Sequence, residues 1–422
     1  MYKFMMPADK WDETRPNKKA ILEMITKHST ISAQLKKLME YYLGAQAIIT
    51  DSERKNKLVC NHAKDISDTA SSYFVGEPIS YNAEEDITPL TDAFDNTEMD
   101  SVDGDNGLDM SVYGRAYEYT YINEDKMLVS KNINAETTFM VVDNSIEENE
   151  LFAVYYYPEK DDSGELVTRW VATVLTEHYK WILYIDNQKT EQPLNEEPEE
   201  HYLGEVPVIE YLNNKMGLGD FELEIPLIDA YNALMSDRIT DKENFIDAIL
   251  ALYGTMLADP DEDDTNLDEA KKRLKTKKIL ELPDGAKAEY LTRTFDESGV
   301  ELLAKRIEQD IHKFAHIPCM SDESFGGNVS GVAMEFKLLG LENITKIKTR
   351  YYKKGLKKRM RIFCRFLKLM SPNDNIDYTK IKPTFTRALP KNLLELSQII
   401  ANLWGKISDK TLISQIPFVT DV

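Results

Sequence analysis

Gly326-Gly327-Asn328-Val329-Ser330-Gly331 has the glycine spacing of a phosphate loop ahead of a helix, where backbone N–H groups would cradle an anion. Val332 and Ala333 stand where the lysine and hydroxyl for phosphate and magnesium would be, so nucleotide hydrolysis is not expected there. Gly217-Leu218-Gly219 has the first two glycines of a dinucleotide fingerprint, but Glu222 takes the third position and no strand-turn-helix surrounds it. Asp259, Asp261 and Asp263 imitate the start of a calcium loop. Asp264 then replaces its glycine and Ala270 its bidentate glutamate, which leaves a solvated acidic turn. His312 and His316 are spaced to share one face of a helix and one zinc ion. Lys313 follows where a metallopeptidase carries its glutamate base, and no third ligand is identifiable, so two ordinary helix-end histidines are the expectation. Neither a GxSxG elbow nor a local Cys-His signature is present.

What does stand out is charge segregation. Between Lys337 and Lys368 lie twelve lysines and arginines and one acid, Glu342, in a chain of net charge −22. Such a helix face either pairs with acids of a neighbouring element or subunit, or binds phosphate directly; Lys346, Lys353, Lys357 and Arg361 are the candidates for those contacts.

The elements that must position these residues follow from periodicity. Apolar residues at helical spacing run from Lys19 to Tyr42 and from Cys60 to Phe74, closed by Gly44 and by Gly76 and Pro78. From Gly114 onward short Tyr-, Val- and Thr-rich runs (116–122, 138–142, 151–157, 167–175, 179–185) read as an antiparallel meander, with a last strand at 206–212. A rod over 224–252 follows, then a small strand-turn-strand module after Gly254 and a second rod over 297–314 that ends before Pro318. A Gly- and Ser-rich loop at 320–330 precedes a long helix over 331–369, with Gly340 and Gly355 as its expected bends. Strands are expected at 376–381 and 383–387, and a final amphipathic helix over 392–413.

Composition bounds the rest. With 422 residues and 42% hydrophobic residues the chain can bury a core in two or three domains. No apolar run reaches the roughly 20 residues of a membrane helix, and Met1–Pro7 does not resemble a signal peptide. Cys60, Cys319 and Cys364 are few and far apart, as in reduced cytosolic proteins. So acidic a chain is not built for ordinary groove binding to nucleic acid.

The residues resemble a family. Tyr41-Tyr42-Leu43-Gly44, Asn56 to Ile66 and Tyr73-Phe74-Val75-Gly76-Glu77-Pro78-Ile79 look like the start of portal proteins of long-tailed double-stranded DNA bacteriophages. Tyr113 to Tyr117, Leu203 to Glu210, Pro226 to Tyr231 and Gly327 to Ala333 match in the same order. The resemblance implies an α+β portal fold: an α/β wing over 1–219, a two-helix stem over 220–253 and 297–316, and a small α/β clip over 254–296. A tunnel loop over 317–330, a long bent wing helix with strands over 331–389 and a helical crown from 390 complete it. The sequence departs from the family pattern after Pro417-Phe418-Val419, where relatives continue, so a short or incomplete crown is expected.

By the same resemblance, about twelve copies form a ring at one capsid vertex, assembled in the host cytoplasm, around a channel for double-stranded DNA. The implied partners are the terminase large subunit, a head–tail adaptor, and the major capsid and scaffolding proteins, with no cofactor, no metal and no membrane. Asp322, Glu323, Ser324, Phe325, Gly326, Gly327 and Asn328 would face the DNA, and Asp259, Asp261, Glu262, Asp263 and Asp264 would dock partners. The competing expectations are a metal-dependent nucleic-acid-processing enzyme using His312 and His316, and another ring-forming head–tail adaptor.

Overall fold

The computed structural model describes residues 3–160, 166–186, 193–246, 249–253, 285, 287–291, 297–319, 331–371, 376–387, 393–406 and 408. These form two compact units, one of residues 1–45, 61–228 and 310–422, the other of 46–60 and 229–309.

In the larger unit, α1 (Lys18–Leu43) begins where the Asn17 side chain accepts the Lys19 and Ala20 amides at 3.0 and 3.2 Å. It ends at Gly44, whose φ of 87° suits a residue without a Cβ. Its Ile21 and Ile25 pack on a six-stranded sheet through Phe139, Val154, Ala172 and Trp181. That sheet is a meander of β5 (Thr138–Val142), β6 (Glu150–Lys160), β7 (Leu166–Leu175), β8 (Tyr179–Asp186) and β9 (Glu199–Glu200), with β1 (Phe4–Met5) added in parallel on β5. The first expected strand belongs elsewhere. β3 (Arg115–Ile122) lies between β4 (Leu128–Ile133) and β10 (Val208–Leu212) in a separate sheet. The reason is local: Asn134 caps a 3-10 turn, Ala135–Thr137, and redirects the chain after β4.

The second core of this unit joins α3 (His62–Val75), α4 (Thr88–Asn96) and α5 (Met99–Tyr113) to β10 and to α8 (Gly331–Met370), through Phe74, Leu90, Met110, Tyr211, Leu356 and Phe363. The glycines of α8 do not interrupt it. Gly355 instead lets the helix approach β10, because a Cβ there would lie 2.3 Å from the Tyr211 ring. Of the two strands expected near the end, 376–381 is a 3-10 turn, Tyr378–Lys380, because Asp377 accepts the Thr379 amide at 3.0 Å. The other is short: β13 (Lys382–Thr384), paired with β2 (Ser80–Asn82). Of the final helix, α9 (Leu393–Leu403) is described.

The smaller unit holds α2 (Ala47–Thr50), most of α6 (Ile225–Ile246) and the first part of α7 (Glu297–Ala315). Polar residues on one face of α6 grip the strap 46–60: Asn232 accepts the Cys60 amide and Ser236 the Leu58 amide, each at 2.8 Å. Arg238 reaches Glu301 and Lys242 reaches Glu297, both at 2.6 Å, so ion pairs tie α6 to α7 within this unit. The first rod is shorter than expected. It ends at Ile246, and β11 (Ile249–Tyr253) pairs antiparallel with β12 (Lys287–Leu291), Ile249 opposite Leu291, because this branched and aromatic run satisfies its backbone across a ladder.

Candidate functional site

The basic helix α8 holds its charges in two classes. Its buried seam runs Leu341, Thr345, Lys348, Tyr352, Leu356, Arg359 and Phe363, steps of three and four that put them on one face. Two cations therefore sit at core positions. Lys348 pairs with Asp220, which also accepts the Ser111 hydroxyl at 2.6 Å. Arg359 is completely buried, with Nη2 at 2.5 Å from Glu118 on β3 and 2.7 Å from Asp103 on α5. Tyr211 donates to Glu118 at 2.8 Å, and Tyr352 donates to Asp103.

Two carboxylates around one guanidinium leave an acidic excess in a site with no exposed surface. Burial pushes the Asp103 carboxyl above the ordinary range, against the attraction of Arg359. Next to this network Asn132 donates to Asn106 at 3.0 Å and to Asp109 at 2.9 Å. Burial pushes the Asp109 carboxyl up to about 7. These groups do structural work: they lock α8, α5 and β3 together, since removing one partner of a buried charge pair strands the other.

The outward face of α8 is different. Lys346 is exposed and lies 3.6 Å from Glu342 one turn back. Lys353 is half-buried, 5.6 Å from the Phe385 ring centre, and Lys357 is exposed with no carboxylate partner among the described residues. Arg361 forks onto Glu205, its Nε 2.5 Å from one oxygen, and Arg365 stands 3.5 Å from the same carboxylate. Of the four basic candidates, then, Arg361 is engaged within its own chain and Lys357 is the most available. Asp322, Glu323, Ser324, Phe325, Gly326, Gly327 and Asn328 lie outside the described residues, as do Asp259, Asp261, Glu262, Asp263 and Asp264.

The shared zinc face of His312 and His316 does not form. His312 is buried in α7, its ring 5.4 Å from that of His62, while His316 is exposed beyond the helix end with a φ of 59° that turns the backbone away. Burial, and then the neighbouring His312, lower the His62 imidazole to about 4. Among the described residues no group of three or more His, Cys, Asp or Glu side chains is arranged to hold a metal. None of their helices is long and apolar enough to cross a membrane. Gly217 and Gly219 serve a turn instead of a cofactor: the backbone carbonyl of Leu218 between them accepts both Asn213 and Asn214, at 2.9 and 2.8 Å.

Asp103, Glu118 and Arg359 lie too far apart in the sequence to stand out as a unit. A signal was present in part: Arg359 falls in the apolar series Tyr352, Leu356, Phe363, a position where an unpaired charge is prohibitive.

Known portal proteins match along most of the chain. It is 23% identical over 401 residues to the portal protein of Bacillus phage SPP1, covering 92% of this chain and 78% of that one. It is 24% identical over 391 residues to the portal protein of Clostridium phage phiCD119, covering 87% and 82%. Among solved structures it is similar to the crystal structure of an HK97 family phage portal protein from Corynebacterium diphtheriae, at 12% identity and a TM-score of 0.37 over 77% of this chain and 93% of that one. The sequence model described as phage portal protein, SPP1 Gp6-like, matches residues 22–422. With that match spanning both units, the chain belongs to the SPP1 Gp6-like phage portal proteins, a family of structural components of the phage capsid.

Proposed function

We propose that copies of this chain close into a ring at one capsid vertex and form the channel through which DNA is packaged and later ejected. The observation that carries this reading is the family match over residues 22–422. The paired helices α6 and α7 support it as the two stem rods, and β11 and β12 bracket the segment 254–286 as the base of the clip. In this reading the clip, through Asp259, Asp261, Glu262, Asp263 and Asp264, receives the terminase large subunit and later the head–tail adaptor. Major capsid and scaffolding proteins meet the wing. The segment 317–330, with Asp322 and Glu323 as its acids, is the tunnel loop, and the region from 390 begins the crown. An acidic channel protein repels phosphate and so lets DNA slide instead of sticking. The chain acts as a conduit and hydrolyses nothing itself; the motor supplies the energy.

A packaging reaction tests this. Capsids assembled with the chain, given motor, ATP and duplex DNA, should protect that DNA from nuclease, and capsids assembled without it should not. Equal protection in both would refute the channel role.

A further inference from the structure

Two oppositely charged surfaces of this chain make no ion pair among the described residues. On α8, Arg350, Lys354, Lys357 and Lys368 are exposed and recur at steps that place them in one row with Arg361. The inward cations of the helix have carboxylates (Lys348 with Asp220, Lys358 with Glu150, Arg359 with Glu118), but these four have none among the described residues. The second surface lies on α4 and α5. From Asp65 to Gly114 the sequence holds thirteen acids and neither lysine nor arginine. Asp92, Asp95, Glu98, Asp100 and Asp105 are exposed there and make no ion pair among the described residues, Asp100 feeling Arg359 only at a distance.

The acidic surface is also shaped. A cavity of about 270 Å³ opens on it, walled by Ile79, Phe94 and Met99 and rimmed by Asp95, Glu98 and Asp100, with no basic side chain in its lining. Apolar walls beneath a ring of carboxylates suit a long cationic side chain, whose methylene stem is covered while its head stays among the acids. Burial, and then repulsion from Asp95, hold the Asp100 carboxyl above its ordinary range, a cost that a cation would relieve.

We propose that the row Arg350, Lys354, Lys357 and Lys368 of one copy docks on the α4–α5 acidic surface of the next, with one of these side chains seated in the cavity between Phe94 and Asp95. The contact rests on the ring reading and specifies how that ring is joined. Because the two surfaces are different patches of one chain, the contact is head-to-tail, the kind that closes into a ring when the rotation permits. DNA phosphate is the rival occupant of the basic row, but it leaves the acidic cavity without a function.

Charge reversal in the full chain tests the contact, with assembly followed by light scattering and folding checked by thermal melting. Lys354→Glu with Lys357→Glu should weaken ring assembly roughly 100-fold, and so should Asp95→Lys with Glu98→Lys, as like charges then face each other. All four changes in one chain should restore rings, since each interface again joins opposite charges. Rings that persist in either double variant, or that fail to return in the fourfold variant, overturn the contact while leaving the ring itself intact. Loss of duplex DNA binding in the lysine variant with rings unaffected would assign the row to phosphate and also overturn it. A wild-type chain that never forms rings would defeat the proposed function first.

Discussion

Arg359 has no exposed surface, and Asp103 and Glu118 share it, so each of the three depends on the other two for its solvation. Asp109, at the margin of the same network, offers a pH test. Its carboxyl is pushed up to about 7 by burial, so the folded protein holds that proton more tightly than the unfolded chain does. The stabilisation is complete below the ordinary carboxylate range and is lost as pH rises through about 7. An amide at this position has no proton to lose. Asp109→Asn should therefore gain on the wild type by about 1–3 kcal/mol between pH 5 and pH 8, read from urea unfolding at both values. A difference between the two proteins that stays constant across that range would show that Asp109 is ionised throughout.

At the scale of elements, two glycines in helices play opposite parts. A Cβ on Gly355 would lie 2.3 Å from the Tyr211 ring, and that ring is held by stacking on Tyr352 at 4.3 Å between centres, so neither partner can give way. A Cβ on Gly104 in α5 would meet nothing within 4 Å. Gly355→Ala should lower stability by about 1–3 kcal/mol through overpacking, and Gly104→Ala should raise it by about 0.5–1 kcal/mol through helix propensity. A melting temperature of Gly355→Ala equal to or above that of the wild type would contradict this packing of α8 on β10. The long helices were legible in the sequence because their apolar residues recur every three to four positions: α1, α7 and α8 fall within a residue or so of the expected bounds. The fifth helix was not, because Met99–Tyr113 contains Asp100, Asp103, Gly104, Asp105, Gly107 and Asp109, and buries Asp103 and Asn106 in a polar network that exists only once α8 supplies Arg359. The same cause hid the charge cluster. Pairing between Asp103 and Arg359 joins residues 256 positions apart, and no local pattern records it. His312 and His316 have the spacing of one helix face without sharing it, because α7 ends at Ala315.

At the scale of the whole molecule, the proposed function has identical copies assemble around a channel. The exposed apolar residues Phe336, Leu339 and Ile347 on α8, with the basic row beyond them, give one helix a long outward face that the described chain does not cover. Coverage by a neighbouring copy would remove that surface from water and bring the separated charges together, with the charged part of the contact weakened by salt. Electron micrographs of the purified full chain, recorded over a range of protein and salt concentrations, test this most directly. Closed rings of uniform subunit number, with an open central channel wide enough for duplex DNA, are the expected result. Single chains at every concentration and salt, or closed particles with no channel, would contradict it.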